Sequence, residues 1–316
     1  MKMTRRLVVV AAPTVAILAG LMWWRRVSRA NSRELDTRLA EPLPAPSEPI
    51  AVFHLGHSLV NRDMPAMLAQ LAGEGHHFNS QLGWGTTLKA HWGDDAINGF
   101  VEENAHSHFR AAHEATRSGE YEAIVFTEMV EIRASLKYHD SPVYLALWAE
   151  EALAAKPDVR LYLYETWHPL DDPEGWLERL DADFRRYWLD GIAKPALARL
   201  PAGTQLRIIP AGQVLAAFVR TVESGSGIGN VSTRADLFAR TAEGGQDQIH
   251  LSDLGNYLVA LVHFTVLYHR SPVGLPHALR RADDSLANAP SPETALRMQQ
   301  TVLEVVRALP ITGISI

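Results

Sequence analysis

The sequence predicts a three-layer α/β/α sandwich on a mainly parallel sheet of about five strands. Three observations carry that reading. Short apolar runs bounded by turn residues recur along the chain, and each is followed by a stretch with helical apolar spacing, the pattern of successive βα units. Hydrophobic residues make up 47% and charged residues 21% of the 316 residues, which supplies the apolar material for a real core. No segment repeats, so the alternation describes one domain rather than an array.

Residues 50–53 (Ile-Ala-Val-Phe) form the first strand, and helical spacing over 64–71 follows it. Residues 76–82 are a second, shorter strand. It runs into Gly83-Trp84-Gly85-Thr86-Thr87, where two glycines around a tryptophan mark a turn. A His-rich helix is expected over 100–116. Residues 121–127 are the third strand, introduced by the Ser118-Gly119 turn and followed by Glu128-Met129-Val130-Glu131. Residues 142–155 read as a helix with Ser141 as N-cap and Pro142 at the first helical position. Residues 159–164 are the fourth strand, ending in Glu165-Thr166-Trp167-His168, and 173–200 is a long amphipathic stretch. Residues 206–210 are the fifth strand, with a helix over 213–222. The glycine-rich run 224–230 does not lie between a strand and a helix, so it reads as a surface loop rather than a phosphate cradle. A strongly apolar helix covers 253–268, and Ser291-Pro292-Glu293 opens a last helix to about Leu309.

The first thirty residues stand apart. Lys2, Arg5 and Arg6 precede an uncharged apolar run over 7–24, and Arg25, Arg26 and Arg29 follow it. About 18 residues rise roughly 27 Å as a helix, enough to span a bilayer, with Trp23 and Trp24 where an interfacial belt would be. Ser28-Arg29-Ala30 also fits a small-x-small cleavage site, so a cleaved signal peptide competes; the arginines directly after the apolar run favour an uncleaved anchor. The short basic N-terminus is expected to stay inside, which places the rest of the chain outside the cytoplasm, in a periplasm or at the cell surface. Four prolines within 41–49 make an extended spacer. The expected division is an anchor or signal segment over 1–30, a linker over 31–49 and the main domain over 50–316.

A net charge of −6 gives no broad basic surface for nucleic acid. The absence of cysteine excludes a disulfide framework, a cysteine nucleophile and thiolate metal sites. His54, His57, His76, His77 and His91 are among the 14 histidines, yet none falls in a zinc-binding pattern. His106-Ser107-His108 is the nearest approach to a ligand pair. No metal and no cofactor is expected.

Two places offer chemistry. Ser58 stands where the first strand gives way to its helix, a position where ligands of open α/β sheets sit and helix N-termini supply backbone donors. It reads equally as a cap on that helix. Asp247 and His250 lie three apart, just before the helix opening at Ser252 or Asp253. A serine hydroxyl needs a base to take its proton, and a histidine with a carboxylate on its other ring nitrogen is suited to that task. A capping aspartate beside a surface histidine gives the same pattern. Trp84, Trp92, Trp167 and His168 fall near strand ends, where they line a sugar-sized pocket or simply pack.

Taken together, Ser58 after the first strand, the glycines after the second, and Asp247-Gln248-Ile249-His250 followed by Leu251-Ser252-Asp253-Leu254-Gly255 resemble the SGNH (GDSL-type) hydrolase family. The resemblance spans residues 50–268. Gly56-His57-Ser58-Leu59 stands as its first block, with histidine where aspartate is usual, and Gly85-Thr86-Thr87 resembles its Gly-x-Thr. The third block departs: Glu128-Met129-Val130-Glu131 replaces Gly-x-Asn-Asp, and an ionised glutamate cannot donate to an oxyanion. Asn61, Glu128 and Glu131 are the residues that would stand in for the missing asparagine.

The resemblance implies a flavodoxin-like hydrolase fold and a serine esterase. Ser58 would attack an acyl carbon, His250 would act as base and then acid, and Asp247 would orient His250. The backbone N–H groups of Ser58 and Gly85 would form the oxyanion hole. The implied substrate is a small-molecule or glycan ester, an acetyl ester among them. An O-acyltransferase would use the same triad, and a non-catalytic binding domain would keep the fold.

Overall fold

The computed structural model describes residues 32–93 and 96–316. Five parallel strands form the central sheet: β1 (Ala51–Leu55), β2 (His77–Gln81), β3 (Ala123–Phe126), β4 (Arg160–Glu165) and β5 (Leu206–Pro210). Their order is β2-β1-β3-β4-β5. Alternate side chains divide between two cores, as the two-residue period of a strand requires. Val52, Val125, Tyr162, Tyr164 and Ile209 face one core, while Phe53, Leu55, Ile124, Phe126, Leu161, Leu163 and Ile208 face the other. The first core is covered by α2 (Asp63–Ala72), α10 (Ala211–Ser224), α11 (Asp253–Tyr268) and α12 (Pro292–Ala308). The second is covered mainly by α5 (Ala112–Ser118), α7 (Ser141–Ala155) and the helical run that ends in α9 (Lys194–Leu197). The α/β/α sandwich and its parallel five-stranded sheet are as the alternation predicts.

Where the helices differ from expectation, the reason is local. The single helix expected over 100–116 is two short ones, α4 (Phe100–Asn104) and α5. Between them the chain runs beside the edge strand β2: Ser80 N–H donates to His108 O at 2.9 Å and Arg110 N–H donates to Ser80 O at 3.2 Å. An edge strand presents unpaired backbone groups, and this segment satisfies some of them. Helices α3 (Leu88–Trp92) and α6 (Ile132–Tyr138) are too short to show a periodicity. Ser141 is the first helical residue of α7, and Asp140 in the left-handed region takes the cap position. The amphipathic stretch is one helical run: α8 (Trp176–Asp183), a π-helical segment (Phe184–Ala193) and α9. A small antiparallel hairpin, β6 (Phe238–Arg240) and β7 (Gln246–Leu251), precedes α11.

Residues 32–40 form helix α1, and 41–49 carry neither helix nor strand, with bends at Glu41, Ser47 and Glu48. Both lie against the domain. Leu39 is fully buried in the second core, the Arg207 guanidinium donates to Arg38 O and Glu41 O, and Leu43 N–H donates to Gly313 O at 2.8 Å. The apolar run over 7–24, with its expected membrane helix or signal peptide, lies outside the described residues. Among the described residues no helix is long and apolar enough to cross a membrane.

Candidate active site

Ser58 occupies a turn directly after β1 and is half-buried. Glycine is needed two residues earlier: a Cβ at Gly56 would lie 2.4 Å from Thr127 Cγ2 and 3.1 Å from Val60 Cγ2. The turn closes through Val60 N–H to His57 O at 2.9 Å. Ser58 does not cap α2. Asn61 does so from the left-handed region (φ 46°), its Oδ1 accepting the amides of Asp63 and Met64 at 2.7 and 3.0 Å.

The fold brings His250 to Ser58 across 192 residues, with His250 Nε2 3.1 Å from Ser58 Oγ. The other ring nitrogen, Nδ1, is 3.0 Å from Asp247 Oδ2. Asp247 Oδ1 accepts the amides of Ile249 and His250 at 2.8 and 2.9 Å. One carboxylate oxygen therefore shapes the loop while the second holds the ring. Partial burial pushes the Asp247 carboxyl up, but the two amides and the imidazole outweigh it and hold it below the usual carboxylate range. An ionised Asp247 favours the tautomer with the proton on Nδ1, leaving Nε2 bare towards the Ser58 hydroxyl. Asp247 and His250 fall within β7, in a tight irregularity between its two pairings with β6, Arg240 opposite Gln246 and Phe238 opposite Leu251.

The loop carrying His250 is held from two sides. Trp167 Nε1–H donates to Ile249 O at 2.8 Å and Leu170 N–H to Gln248 O at 2.7 Å. Ser252 N–H donates to Leu237 O at 2.9 Å, and a Cβ at Gly255 would stand 2.3 Å from that same oxygen. Glycine at 255 thus lets α11 start close against the hairpin.

Two buried histidines brace the Ser58 turn, and neither role is visible in the sequence. His57 donates from Nε2 to Glu128 O at 2.8 Å and accepts the Leu59 amide on Nδ1 at 3.3 Å. His91 donates from Nε2 to Gly56 O at 2.7 Å and accepts from the Gln81 side chain on Nδ1 at 2.9 Å. Gln81 in turn accepts the Ala112 amide at 2.8 Å. These bonds fix both rings as neutral imidazoles with the proton on Nε2. Burial pushes each down to about 4. From β4, the Tyr164 hydroxyl donates to Leu59 O at 3.2 Å.

β1 and β2 end side by side, with Leu55 opposite Gln81, so the loops carrying Ser58 and Gly85 leave the sheet together. Gly85 is in the left-handed region (φ 55°) and exposed. Among the described residues, neither the Ser58 N–H nor the Gly85 N–H donates to an acceptor. The three stand-ins for the missing asparagine each have other partners. Asn61 Nδ2 donates to Asn256 Oδ1 at 2.8 Å. Glu128 is fully buried, its Oε1 accepting the Met129 amide at 2.8 Å, and burial pushes its carboxyl up to about 7. Glu131 caps α6 through Arg133 N–H at 3.1 Å and faces Arg179 at 3.4 Å.

Arg179, almost fully buried, also binds Asp183 at 2.7 Å and Asp172 at 2.8 Å, and His168 lies 3.3 Å from Asp183. His168 and Trp167 are therefore framework rather than pocket lining. Trp92 packs edge-on against Trp148 with ring centroids 4.9 Å apart. Of the four aromatic residues flagged near strand ends, Trp84 alone is exposed. Among the described residues no group of three or more His, Asp or Glu side chains is arranged to hold a metal ion.

No protein-family model matches the chain, and no curated protein does. Solved structures do. A DUF4886 family protein from Bacteroides uniformis is similar over 82% of this chain and 95% of its own, with a TM-score of 0.53 and 15% identity. A protein from Parabacteroides merdae, proposed to be a GDSL-like lipase, is similar over 70% of this chain and 96% of its own, with a TM-score of 0.42 and 12% identity. The first likeness shows a shared fold.

Proposed function

We propose that the chain is a serine esterase that works through an acyl-enzyme. The observation that carries this reading is the aligned Asp247–His250–Ser58 relay, with contacts of 3.0 and 3.1 Å. Ser58 Oγ attacks the ester carbonyl carbon as its proton passes to His250 Nε2, and the carbonyl electron pair moves onto oxygen. The Ser58 and Gly85 N–H groups face that oxyanion. The intermediate collapses, the bond to the alcohol oxygen breaks, and His250 returns the proton to the leaving alkoxide. Water then attacks the acyl-enzyme, gives a proton to His250, and the acid leaves as Ser58 Oγ recovers that proton. Asp247 stabilises the imidazolium in both halves.

We place hydrolysis first: His250 is open to solvent, with its side chain 47% exposed, so water reaches the acyl-enzyme, and the same opening admits an alcohol acceptor. The test is labelling by a fluorophosphonate. Wild-type protein is expected to label, and Ser58→Ala and His250→Ala to fail. Absent wild-type labelling would sink the enzyme reading, and labelling that survives Ser58→Ala would show another nucleophile. From the sequence of residues 1–30 we also place the domain outside the cytoplasm on an uncleaved anchor. Digestion by added protease in intact cells with a permeable envelope tests this; protection would reverse the orientation.

A further inference from the structure

Trp84 is a large aromatic side chain that the fold leaves exposed and nevertheless holds still. It is 52% exposed, one residue before Gly85. Its indole N–H donates to Glu103 Oε1 at 2.9 Å, and its backbone N–H donates to Asn98 O at 2.7 Å. Its ring lies against Gly99, where an added Cβ would come within 2.2–2.4 Å of Cδ2, Cε2 and Cγ; glycine there, in the left-handed region at φ 66°, is what lets the indole sit down on the backbone. An exposed tryptophan ordinarily loses contact area and gains freedom. Here the rotamer is fixed without burial, which is the preorganised state of a contact surface.

The same contacts lead to a groove of about 1250 Å³ whose lining does not include Ser58, His250 or Trp84 itself. Asn61 and Arg62, three and four residues after Ser58, line its near end, and Glu103, which holds Trp84, lines it too. Arg62 donates to Glu103 O at 3.3 Å, closing the link between the Ser58 loop and the Trp84 support. Further along, Asp63, His106, Arg280 and Asp283 give donors and acceptors of both signs. The Phe78–His108 pair, stacked with centroids 4.1 Å apart, gives a second aromatic surface. The volume exceeds the roughly 300–1,000 Å³ of a drug-sized ligand site. Its lining sets Ala66, Ala69 and Phe78 among charged and amide side chains. A sugar presents an apolar C–H face to an aromatic ring and a rim of hydroxyls to mixed donors and acceptors.

We propose that Trp84 is the stacking platform for the sugar ring that carries the scissile ester, and that the groove takes further units of an O-acylated oligosaccharide. This rests on the esterase reading for its chemistry but not for its binding. Full-length protein in detergent is assayed on an O-acetylated xylo-oligosaccharide and on vinyl acetate, an ester with no ring. In Trp84→Ala the ratio of the two kcat/KM values is expected to fall about tenfold in disfavour of the sugar, the loss of one stacking contact. Trp84→Phe is expected to recover most of it. An unchanged ratio overturns the proposal, as does an equal fall for phenyl acetate, which would mark a general aromatic rim. Binding is read separately by indole fluorescence in Ser58→Ala with the unacetylated xylo-oligosaccharide. A saturable change that disappears in Ser58→Ala/Trp84→Phe supports the platform, and no change overturns it. Absence of vinyl acetate turnover by wild type overturns only the esterase reading.

Discussion

His91 Nε2 donates to the Gly56 carbonyl at 2.7 Å, so a histidine on α3 holds the peptide two residues before Ser58. The bond is fully buried, and Gln81 completes the ring's hydrogen bonding on the opposite side. Replacing His91 by Phe leaves the Gly56 carbonyl and the Gln81 amide without partners, at about 1–3 kcal/mol for each unpaired group. His91→Phe is expected to lower the unfolding free energy and to slow fluorophosphonate labelling. His91→Gln, which can donate and accept, is expected to fall between Phe and wild type. Denaturant unfolding and labelling rates check both, and wild-type behaviour of His91→Phe would remove the brace from this account.

The buried titratable groups predict a stability maximum near neutral pH. Burial pushes His57, His76, His91, His168 and His263 down to about 4 from an ordinary 6.5. Each binds a proton in the unfolded chain before it does in the folded one, so the stability present above pH 6.5 is lost as pH falls towards 4. Burial pushes Glu128 up to about 7 and Glu165 up to about 8 from 4.5, which acts with the opposite sign. Their contribution is present below pH 4.5 and is lost as pH rises through 7 and 8. Histidines outnumber the two glutamates in the acid window, so the expected curve climbs from pH 4 to 6.5 and declines beyond 7. Urea midpoints from pH 4 to 9 measure it, and a flat acid limb would contradict it.

Gly56 and Thr127 form a size-matched pair. Gly56→Ala forces a methyl to 2.4 Å from Thr127 Cγ2, and Val60 offers little room on its other side. Overpacking of this kind typically costs about 1–3 kcal/mol and would also displace Ser58. Thr127→Ser removes the offending methyl and keeps the hydroxyl that donates to Tyr164 O at 2.8 Å. The double variant Gly56→Ala/Thr127→Ser is therefore expected to recover part of the stability and labelling lost in Gly56→Ala alone. A double-mutant cycle reads the coupling, and strict additivity would mean that the strain sits elsewhere.

What the sequence discloses and what it hides follow a physical line. β5 is legible to the residue because Leu206, Ile208 and Ile209 make a short apolar run, broken at Arg207, with Pro210 at its end. α11 is legible because all but its first residue are buried, and its strongly apolar run is interrupted after Asp253 at Asn256, His263 and Thr265. The β6–β7 hairpin is not legible, since Gln246, Asp247 and Gln248 carry no strand pattern and β7 gains its partner only through the fold. Ser58, Asp247 and His250 stand out by residue type and local context. The braces do not, because His57 and His91 bond to carbonyls 71 and 35 residues away, and no local spacing announces such a partner. Capping of α2 by Asn61 instead of Ser58 depends on a left-handed backbone that the sequence leaves open.

The two oxygens of Asp247 have separable tasks, and one substitution divides them. Asparagine keeps an oxygen in the Oδ1 position, so it still accepts the Ile249 and His250 amides and the loop keeps its shape. At the Oδ2 position it places an N–H₂ group against His250 Nδ1, which must then accept rather than donate. The proton moves to Nε2, and the ring presents a donor to Ser58 where the reaction needs an acceptor. Asp247→Asn is therefore expected to unfold close to wild type while kcat falls by about 10³–10⁴, the loss typical of a triad locked in the wrong tautomer. Asp247→Ala removes both tasks and is expected to lose stability as well. Ester turnover measured beside thermal unfolding separates the two variants. Equal destabilisation by Asn and Ala would show that the carboxylate charge, rather than its hydrogen-bond geometry, holds the loop.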